Sequence, residues 1–270
     1  MMNTFFKYAI CLFFIAVSLE ATAQKTFQPK ATQIDWKGIV YRKEMAYEAR
    51  IHTNGGLIGI NIGKIKTYYK TNYYHLSIGY LKDPREKRQN RNLSFKFPDR
   101  SKSFAYGKRN SVINIRGGIG SKRFISEKAK RKGIAIGYDY NIGPSLALLK
   151  PYQLELIYEV EGGSPNDREI RVETYSDDNA DTYLNYNDIF GGAGYWNNVG
   201  EISIVPGVHG KLGLFFSMGA FDKTVKALEV GVMGDIYIKK LPIMVATETV
   251  SNKPYFFNFY VKFLFGKRSN

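Results

Sequence analysis

Apolar and polar side chains alternate with a period of two along most of the chain. The clearest case is the range 255–266, where one face carries six large apolar side chains: Tyr255, Phe257, Phe259, Val261, Phe263 and Phe265. The opposite face carries Asn258, Tyr260 and Lys262. Because successive residues of a β-strand point to opposite faces, this pattern predicts a strand with one wholly apolar side. Such a row faces lipid in a membrane barrel, whereas a soluble protein would have to cover it.

Seven further segments follow the same alternation: 47–62, 73–81, 111–119, 133–148, 152–160, 201–218 and 224–240. In the first, the apolar positions change from odd to even at Asn54-Gly55-Gly56, which fits a β-bulge in one long strand or a tight hairpin. We prefer the bulge, because it gives eight strands and single-chain bacterial barrels have even counts. The predicted fold is all-β, an eight-stranded antiparallel transmembrane β-barrel in up-and-down order over residues 44–267.

Residues 1–23 have the features of an export signal. Lys7 precedes an apolar run of 12 residues at 8–19, which is too short to span a membrane, and Ala21-Thr22-Ala23 matches a cleavage site. We expect cleavage before Gln24, followed by a periplasmic N-terminal segment over 24–43. The only cysteine, Cys11, would be removed with the signal, so no disulfide is predicted.

The predicted strands fix the side on which each connection lies. With the N-terminus in the periplasm, the outer loops are 68–72, 126–132, 161–198 and 241–251. The periplasmic turns are then 83–108, Lys150-Pro151 and 219–223, of which the first is unusually long for this class.

The signal junction, the eight strands and the aromatic final strand at 256–265 resemble the small outer-membrane β-barrel proteins of Bacteroidota-type bacteria. The ending Phe263-Leu264-Phe265-Gly266 is similar to the signal that barrel-assembly machinery recognises, and the residues that would form it are Phe259, Val261, Phe263 and Phe265. The resemblance implies an outer-membrane location with both termini in the periplasm, and it implies no activity. The basic tail Lys267-Arg268-Ser269-Asn270 departs from the pattern.

Polar faces of the predicted strands would line the lumen. Eight strands enclose only enough space for side chains, and an unpaired buried charge is costly, so we interpret the interior as an ion-paired plug. Its predicted charge network is Glu48, Arg50, Arg116, Asp139, Glu155, Lys211, Glu229, Asp235 and Lys262. The alternative is a proton or ion path through the same residues. His52, His75 and His209 are also placed inside, but without a metal-ligand spacing.

Charge is strongly segregated in a chain whose net charge is +15. The range 82–109 holds 10 basic and 3 acidic residues with interleaved aromatics, and we interpret it as a docking element for other envelope proteins. The predicted docking residues are Arg85, Lys87, Arg88, Arg91, Phe95, Lys96, Phe97 and Arg100. This composition also occurs in nucleic-acid binding, but an exported protein rarely meets nucleic acid, so none is expected as a partner.

A second basic segment is predicted at the outer rim. Attraction to the phosphates of outer-membrane lipid, including lipopolysaccharide, is expected there for Lys122, Arg123, Lys128, Lys130, Arg131 and Lys132. The loop 161–198 has the opposite character, with 8 acidic and 2 basic residues. Its D-D-N-A-D order does not match the spaced ligands of a calcium-binding loop, so no metal is predicted. The alternative is a cation site formed by Asp177, Asp178 and Asp181.

No catalytic or cofactor motif supports an enzyme. Walker and dinucleotide fingerprints are absent from the sequence, so no cofactor is predicted. The leading interpretation is a structural or accessory subunit of a larger envelope complex, such as one for secretion or barrel assembly. One alternative is an enzyme acting on lipid or protein at the outer rim, where Ser126 and Ser251 are candidate nucleophiles. The others are a narrow channel or transporter, and a soluble β-sandwich or lipocalin-like barrel.

Overall fold

Eight long antiparallel strands dominate the computed structural model of the chain. It describes residues 40–90, 102–126, 134–159, 168–194, 199–218, 222–247 and 251–270. The predicted signal peptide at 1–23 lies outside the described residues. Within them, no helix has the length and apolar character needed to cross a membrane.

The barrel strands follow one another around the wall in chain order. They are β1 Lys43–His52, β2 Gly55–Thr67, β3 Lys70–Leu81, β6 Asn110–Phe124, β7 Ala135–Pro151, β11 Ser203–Ser217, β12 Thr224–Tyr237 and β13 Tyr255–Ser269. Each pairs with its neighbour, and β1 pairs with β13 from Lys43 opposite Ser269 to His52 opposite Tyr260, which closes the barrel. The predicted all-β, eight-stranded, up-and-down antiparallel barrel is confirmed.

The first two barrel strands form a hairpin. His52 lies opposite Gly55 across the two-residue turn Thr53-Asn54. Gly55 has a φ of +146°, and a Cβ there would lie 2.0 Å from the carbonyl oxygen of Tyr80 on β3. Only glycine combines this backbone angle with such a close approach. The bulge preferred from the sequence is therefore wrong, and the Asn-Gly hairpin is correct.

The segment at 152–160 is not a barrel strand. The wall strand β7 ends at Pro151, and β8, Gln153–Glu159, pairs instead with β9, Arg168–Thr174, and β10, Ile189–Gly192. The apolar residues Leu154 and Leu156 are fully buried in a small separate core, which explains why their alternation resembled that of a wall strand. Glu155, predicted to line the lumen, lies outside the barrel.

The hairpin adds one wall strand and the loss of 152–160 removes one, so the count stays at eight. The connections, however, change ends of the barrel. The turn 53–54 and the segments 82–109, 152–202 and 238–254 share one end of the barrel, called here the loop end. At the other, the terminal end, β1 begins, β13 ends, and the connections 68–69, 125–134 and 218–223 lie. The prediction that 83–108 and 161–198 lie on opposite sides is therefore wrong.

Short elements at the loop end surround a second core. They are β4 Arg88–Gln89, β5 Phe104–Ala105, β8, β9, β10, the helix α1 Ala180–Tyr183 and two 3-10 turns at Tyr186–Asp188 and Val199–Glu201. Their buried residues are Phe104, Leu154, Leu156, Tyr183, Ile189 and Val245. The single hydroxyl hydrogen of Tyr183 is shared between the Lys108 and Tyr152 carbonyl oxygens, which lie 2.7 and 3.1 Å from the hydroxyl oxygen. This polar tip ties the small core to the barrel mouth.

Glycines allow neighbouring strands to approach closely inside the wall. A Cβ on Gly143 of β7 would lie 2.1 Å from the carbonyl oxygen of Gly117 on β6, whereas a Cβ on Gly117 would have its nearest neighbour at 3.9 Å.

We therefore expect Gly143→Ala to lower the free energy of unfolding by about 1–3 kcal/mol through overpacking. The measurement is urea unfolding of the folded protein followed by circular dichroism. Gly117→Ala is the matched control, and equal loss in both variants would contradict the close approach.

Candidate functional site

Six charged side chains meet halfway along the barrel interior. This central charge network consists of Glu48, Arg50, Asp139, Lys211, Glu229 and Lys262. The Lys211 ammonium lies 2.7 Å from Asp139 Oδ2 and 2.8 Å from Glu229 Oε1. Lys262 lies 3.0 Å from the same Asp139 oxygen and also contacts Glu229. Both lysines thus bridge the same two carboxylates.

The central charge network is electrically balanced. Three carboxylates face three cations, and Arg50 completes the set by donating to Glu48 at 2.8 Å. Hydroxyl and amide groups also donate to these carboxylates: Tyr73 to Asp139 at 2.6 Å, Tyr260 to Glu229 at 2.6 Å, and Asn61 to Glu48 at 2.8 Å. Because charges buried away from water must be both paired and hydrogen-bonded, this arrangement meets the condition for burying six ions together.

A separate ion pair lies nearer the loop end. Arg116 on β6 donates from Nε and Nη2 to the two oxygens of Asp235 on β12, at 2.7 and 3.0 Å, across the lumen. Both side chains are buried. This fork geometry joins two strands that are not neighbours in the wall. It therefore holds the barrel at a fixed cross-section in addition to satisfying the charges.

A third ionic layer lies at the terminal end. Glu44 receives Lys122 at 3.1 Å and Arg268 at 2.9 Å. Lys122 was expected to contact lipid phosphate, and this is wrong, because its side chain points inward and is buried. Arg268 belongs to the basic tail at the end of the chain, and it is an inward-facing partner of Glu44.

The mouth at the loop end is closed by apolar side chains. Leu241 and Ile243, from the connection between β12 and β13, pack with inward residues of the wall: Leu81, Val112, Ala147, Leu149, Val205, Tyr237 and Phe256. The backbone N–H groups of Arg109 and Asn110 donate to the Ile243 carbonyl oxygen, at 2.8 and 3.1 Å. This connection is therefore fixed to the start of β6 as it covers the opening.

The structure brings together most of the predicted interior charge network. Eight of its nine members, all except Glu155, are buried among the ion pairs of the barrel interior. The sequence analysis did not assign roles to Glu44, Asn61 and Tyr73. Extending the even-numbered inward face of β1 four residues back from Glu48 would have indicated Glu44. Tyr73 lies two residues before His75, which was placed inside, so the period of two also indicated an inward position for Tyr73.

The predicted docking and lipid-contact residues have a different distribution. Lys87 and Arg88 are exposed at the loop end, and Arg123 is exposed at the terminal end. The assembly residues Phe259, Val261, Phe263 and Phe265 all face outward on β13. The remaining candidates, Arg91, Phe95, Lys96, Phe97, Arg100, Lys128, Lys130, Arg131 and Lys132, lie outside the described residues.

The predicted docking residue Arg85 is held in an ion pair of the loop end. Its guanidinium donates from Nε and Nη2 to the two oxygens of Asp83, each at 2.8 Å, and its backbone N–H donates to Oδ1 at 2.9 Å. Partial burial raises the pKa of Asp83, but the hydrogen bonds and charge of Arg85 outweigh it and lower that pKa overall. Arg85 is thus a positioned residue of the turn rather than a free cation.

The described residues do not bring together the alternative catalytic and metal-binding candidates. In the part of the chain that the structure describes, no group of three or more His, Cys, Asp or Glu residues could hold a metal ion. Asp177, Asp178 and Asp181 are therefore not brought together as a cation site, and neither are the three histidines. The candidate nucleophiles Ser126 and Ser251 lie at opposite ends of the barrel, on the connections after β6 and after β12.

Comparison with known proteins does not assign a family to this chain. A scan against protein-family models finds no match, and a search of curated proteins finds no significant relative. The chemistry of the interior therefore has to be interpreted from its own geometry.

The Arg116–Asp235 pair gives a direct test of the buried ionic interior. We expect Arg116→Met to lower the free energy of unfolding by about 3–5 kcal/mol, because it leaves the Asp235 carboxylate buried without its partner. Adding Asp235→Leu should restore most of the loss, because removing both charges removes the penalty. Urea unfolding of the unmodified chain, the two single variants and the double variant under the same conditions would measure both effects. A double variant as unstable as the sum of the two single variants would contradict this account.

Proposed function

We propose that this protein is an integral outer-membrane β-barrel with a closed lumen, and that it acts as a structural or accessory subunit of a larger envelope complex. The observation that carries the proposal is the inverted distribution of side chains in the wall. On β13, Phe259 is 64% exposed on the outside, whereas Asn258 and Lys262 are 0% exposed on the inside. A soluble ligand-binding barrel has the opposite arrangement, with its apolar residues inward.

The apolar outer surface has the height of a membrane. On β13 the outward apolar positions run from Tyr255 to Phe265, which are ten residues apart. At about 3.4 Å per residue and a tilt of about 35–45°, this span measures roughly 25 Å along the barrel axis. That value matches the lipid-facing band of outer-membrane barrels. The same outward apolar character occurs on the other wall strands, at residues such as Ile58, Leu76, Ile142 and Leu212.

Connection lengths support an orientation. Barrels of this class have short periplasmic turns and longer extracellular loops. The long segments 82–109 and 152–202 both lie at the loop end, whereas the connection 68–69 at the terminal end has two residues. We therefore place the terminal end, with both termini of the barrel, in the periplasm. The loop end then faces outward, and with it the basic segment that the sequence analysis had assigned to the periplasm.

A filled interior favours a closed barrel over the channel alternative. The central charge network, the Arg116–Asp235 pair and the apolar residues around Leu241 and Ile243 occupy successive levels of the lumen. An ion crossing the barrel would have to displace charges that already satisfy one another.

We expect the protein to carry no current in planar-bilayer conductance measurements. Steady ion currents through the intact barrel would contradict the closed-lumen part of the proposal.

Contact with other envelope proteins is assigned to the loop end. An open cleft of about 390 Å³ lies beside β4 and β5, and Arg88, Lys102 and Lys150 line it together with the glycines Gly192 and Gly194. Arg88 and Lys102 are exposed, whereas Lys150 is buried. Exposed cations beside a structured cleft suit an acidic protein surface. The separate core of the loop end gives such a contact a stable platform.

Depth-dependent substitutions test the membrane location. Val261 lies near the middle of the outward face of β13, and Phe265 lies near its terminal end. We expect Val261→Arg to cost about 2–4 kcal/mol of folding free energy in lipid bilayers, and Phe265→Arg only about 0–1 kcal/mol. Both residues are exposed, so a soluble protein would tolerate both substitutions equally. Equal and negligible effects in vesicles, with the protein recovered in a soluble fraction, would reject the proposal.

Co-purification tests the accessory role. We expect the tagged protein, extracted from native membranes in mild detergent, to retain a stoichiometric set of envelope proteins. Lys87→Glu combined with Arg88→Glu should reduce their recovery at least tenfold, because the charges that meet an acidic partner are reversed. Lys239→Glu with Lys240→Glu is the matched control, since these lysines are also exposed at the loop end. A monodisperse protein without partners in mass spectrometry would reject the accessory role and leave the membrane location standing.

A further inference from the structure

A continuous arc of basic side chains surrounds most of the terminal end on its outer surface. It spans β12, β13, β1, β2, β3 and β6, which are six of the eight wall strands and are adjacent in this order. All its members are exposed and occupy outward positions of their strands. This basic arc consists of Lys226, Lys267, Lys43, Lys64, Lys70 and Arg123.

Strand register places like charges next to one another within the basic arc. Lys43 is directly opposite Lys64 across the β1–β2 pair, and Lys70 is directly opposite Arg123 across the β3–β6 pair. The other neighbours in the basic arc are offset diagonally by two residues. Lys226 is two residues from Thr224, which lies opposite Lys267, and Lys267 is two residues from Ser269, which lies opposite Lys43. Lys70 is two residues from Asn72, which lies opposite Lys64. Diagonal neighbours are about 7–8 Å apart. The six positive charges therefore form one unbroken row.

This row is unfavourable unless an anion from outside neutralises it. Like charges directly opposite on neighbouring strands destabilise a sheet. Within the described residues, no carboxylate forms an ion pair with any member of the basic arc. The interior lysines Lys122, Lys211 and Lys262 contrast with this, because each lies within 4 Å of a carboxylate. Among the described residues, these three inner lysines are thus paired, whereas the members of the basic arc have no carboxylate partner.

Position along the strands indicates which anion fits. Each basic residue comes at or next to the first outward position beyond the apolar surface: Lys267 follows Phe265, Lys64 follows Ile62, and Lys43 precedes Met45. Two residues advance the strand by about 5 Å along the barrel axis. If the apolar band spans the hydrocarbon core, the arc lies at the level of the lipid phosphates. A row of cations at that depth is complementary to a surface of anionic headgroups.

We propose that the basic arc is a binding surface for the phosphate groups of anionic phospholipids in the periplasmic leaflet. The inference rests on the proposed membrane location and orientation. It extends the expected role of Arg123 and replaces that of Lys122, which is used inside the barrel. Lipid headgroups would occupy the spaces between Lys43 and Lys64 and between Lys70 and Arg123, relieving the repulsion within each pair.

Vesicles of two compositions test the surface. The full chain, without its signal peptide, would be folded into phosphatidylcholine vesicles and into vesicles containing one-third phosphatidylglycerol. Two double variants remove one pair each, Lys43→Gln with Lys64→Gln and Lys70→Gln with Arg123→Gln. Lys239→Gln with Lys240→Gln removes the same charge at the loop end and serves as the control. Urea unfolding would be measured at low and at high salt.

For the unmodified chain we expect phosphatidylglycerol to raise the folded-to-unfolded ratio at low salt, and the gain to shrink at high salt. Each removed charge of the basic arc should reduce that gain about fivefold. In pure phosphatidylcholine the same variants should be as stable as the unmodified chain or more stable, because repulsion has been removed. The control should keep the full gain. The same substitutions are thus expected to lower stability in vesicles with phosphatidylglycerol and not in pure phosphatidylcholine. Simple damage to the fold would lower stability in both.

Several outcomes would overturn the inference. A gain from phosphatidylglycerol that is unchanged in both double variants would show that the basic arc does not bind phosphate. Stabilisation by lipopolysaccharide, but not by phosphatidylglycerol, that is lost in the same variants would assign the arc to the other leaflet. Failure of the unmodified chain to fold in either kind of vesicle would instead reject the membrane location. The two proposals can thus fail separately.

Discussion

The balanced burial of charge inside the barrel is the constraint on which the other features of the structure depend. Lys211 and Lys262 reach the barrel interior from β11 and β13, and the carboxylates that they share come from β7 and β12. Four strands must therefore be in register before both lysines contact both carboxylates. Each such ion would cost several kcal/mol if it were buried alone. The network thus favours one closed arrangement and penalises strand registers that leave a charge unpaired.

An ionic interior requires the apolar residues to be on the outside. Because strands alternate strictly, inward placement of Glu48, Arg50 and Lys262 forces Tyr47, Ile51 and Val261 outward. The exposed apolar surface is thus the other half of the same pattern and not an independent property. In water this surface would be a liability, and in lipid it is the required boundary. Interior chemistry and proposed environment are therefore coupled through the two-residue period of the strand.

The period of two also explains which features could be predicted from the sequence. It identified the barrel and eight members of its interior charge network, because those depend only on which face a residue occupies. It could not distinguish β8 from a wall strand, since Leu154 and Leu156 alternate in the same way whether they meet lipid or the small core with Phe104. Nor could it resolve Asn54-Gly55, where a bulge and a hairpin both shift the period by one. Gly55 opposite His52 and close to Tyr80 decides that point through three-dimensional contact.

Consecutive residues near the end of β13 show how far this one rule extends. Lys267 and Arg268 carry the same charge and differ by one step along the strand, yet they have opposite environments. Arg268 points inward and donates to Glu44 at 2.9 Å, where it completes the ionic layer of the terminal end. Lys267 points outward, has no carboxylate partner among the described residues and belongs to the basic arc. The inner cation is part of what closes the barrel, so its partner had to come from the chain. The outer cation contributes nothing to closure, and the partner that would stabilise it has to come from the surroundings.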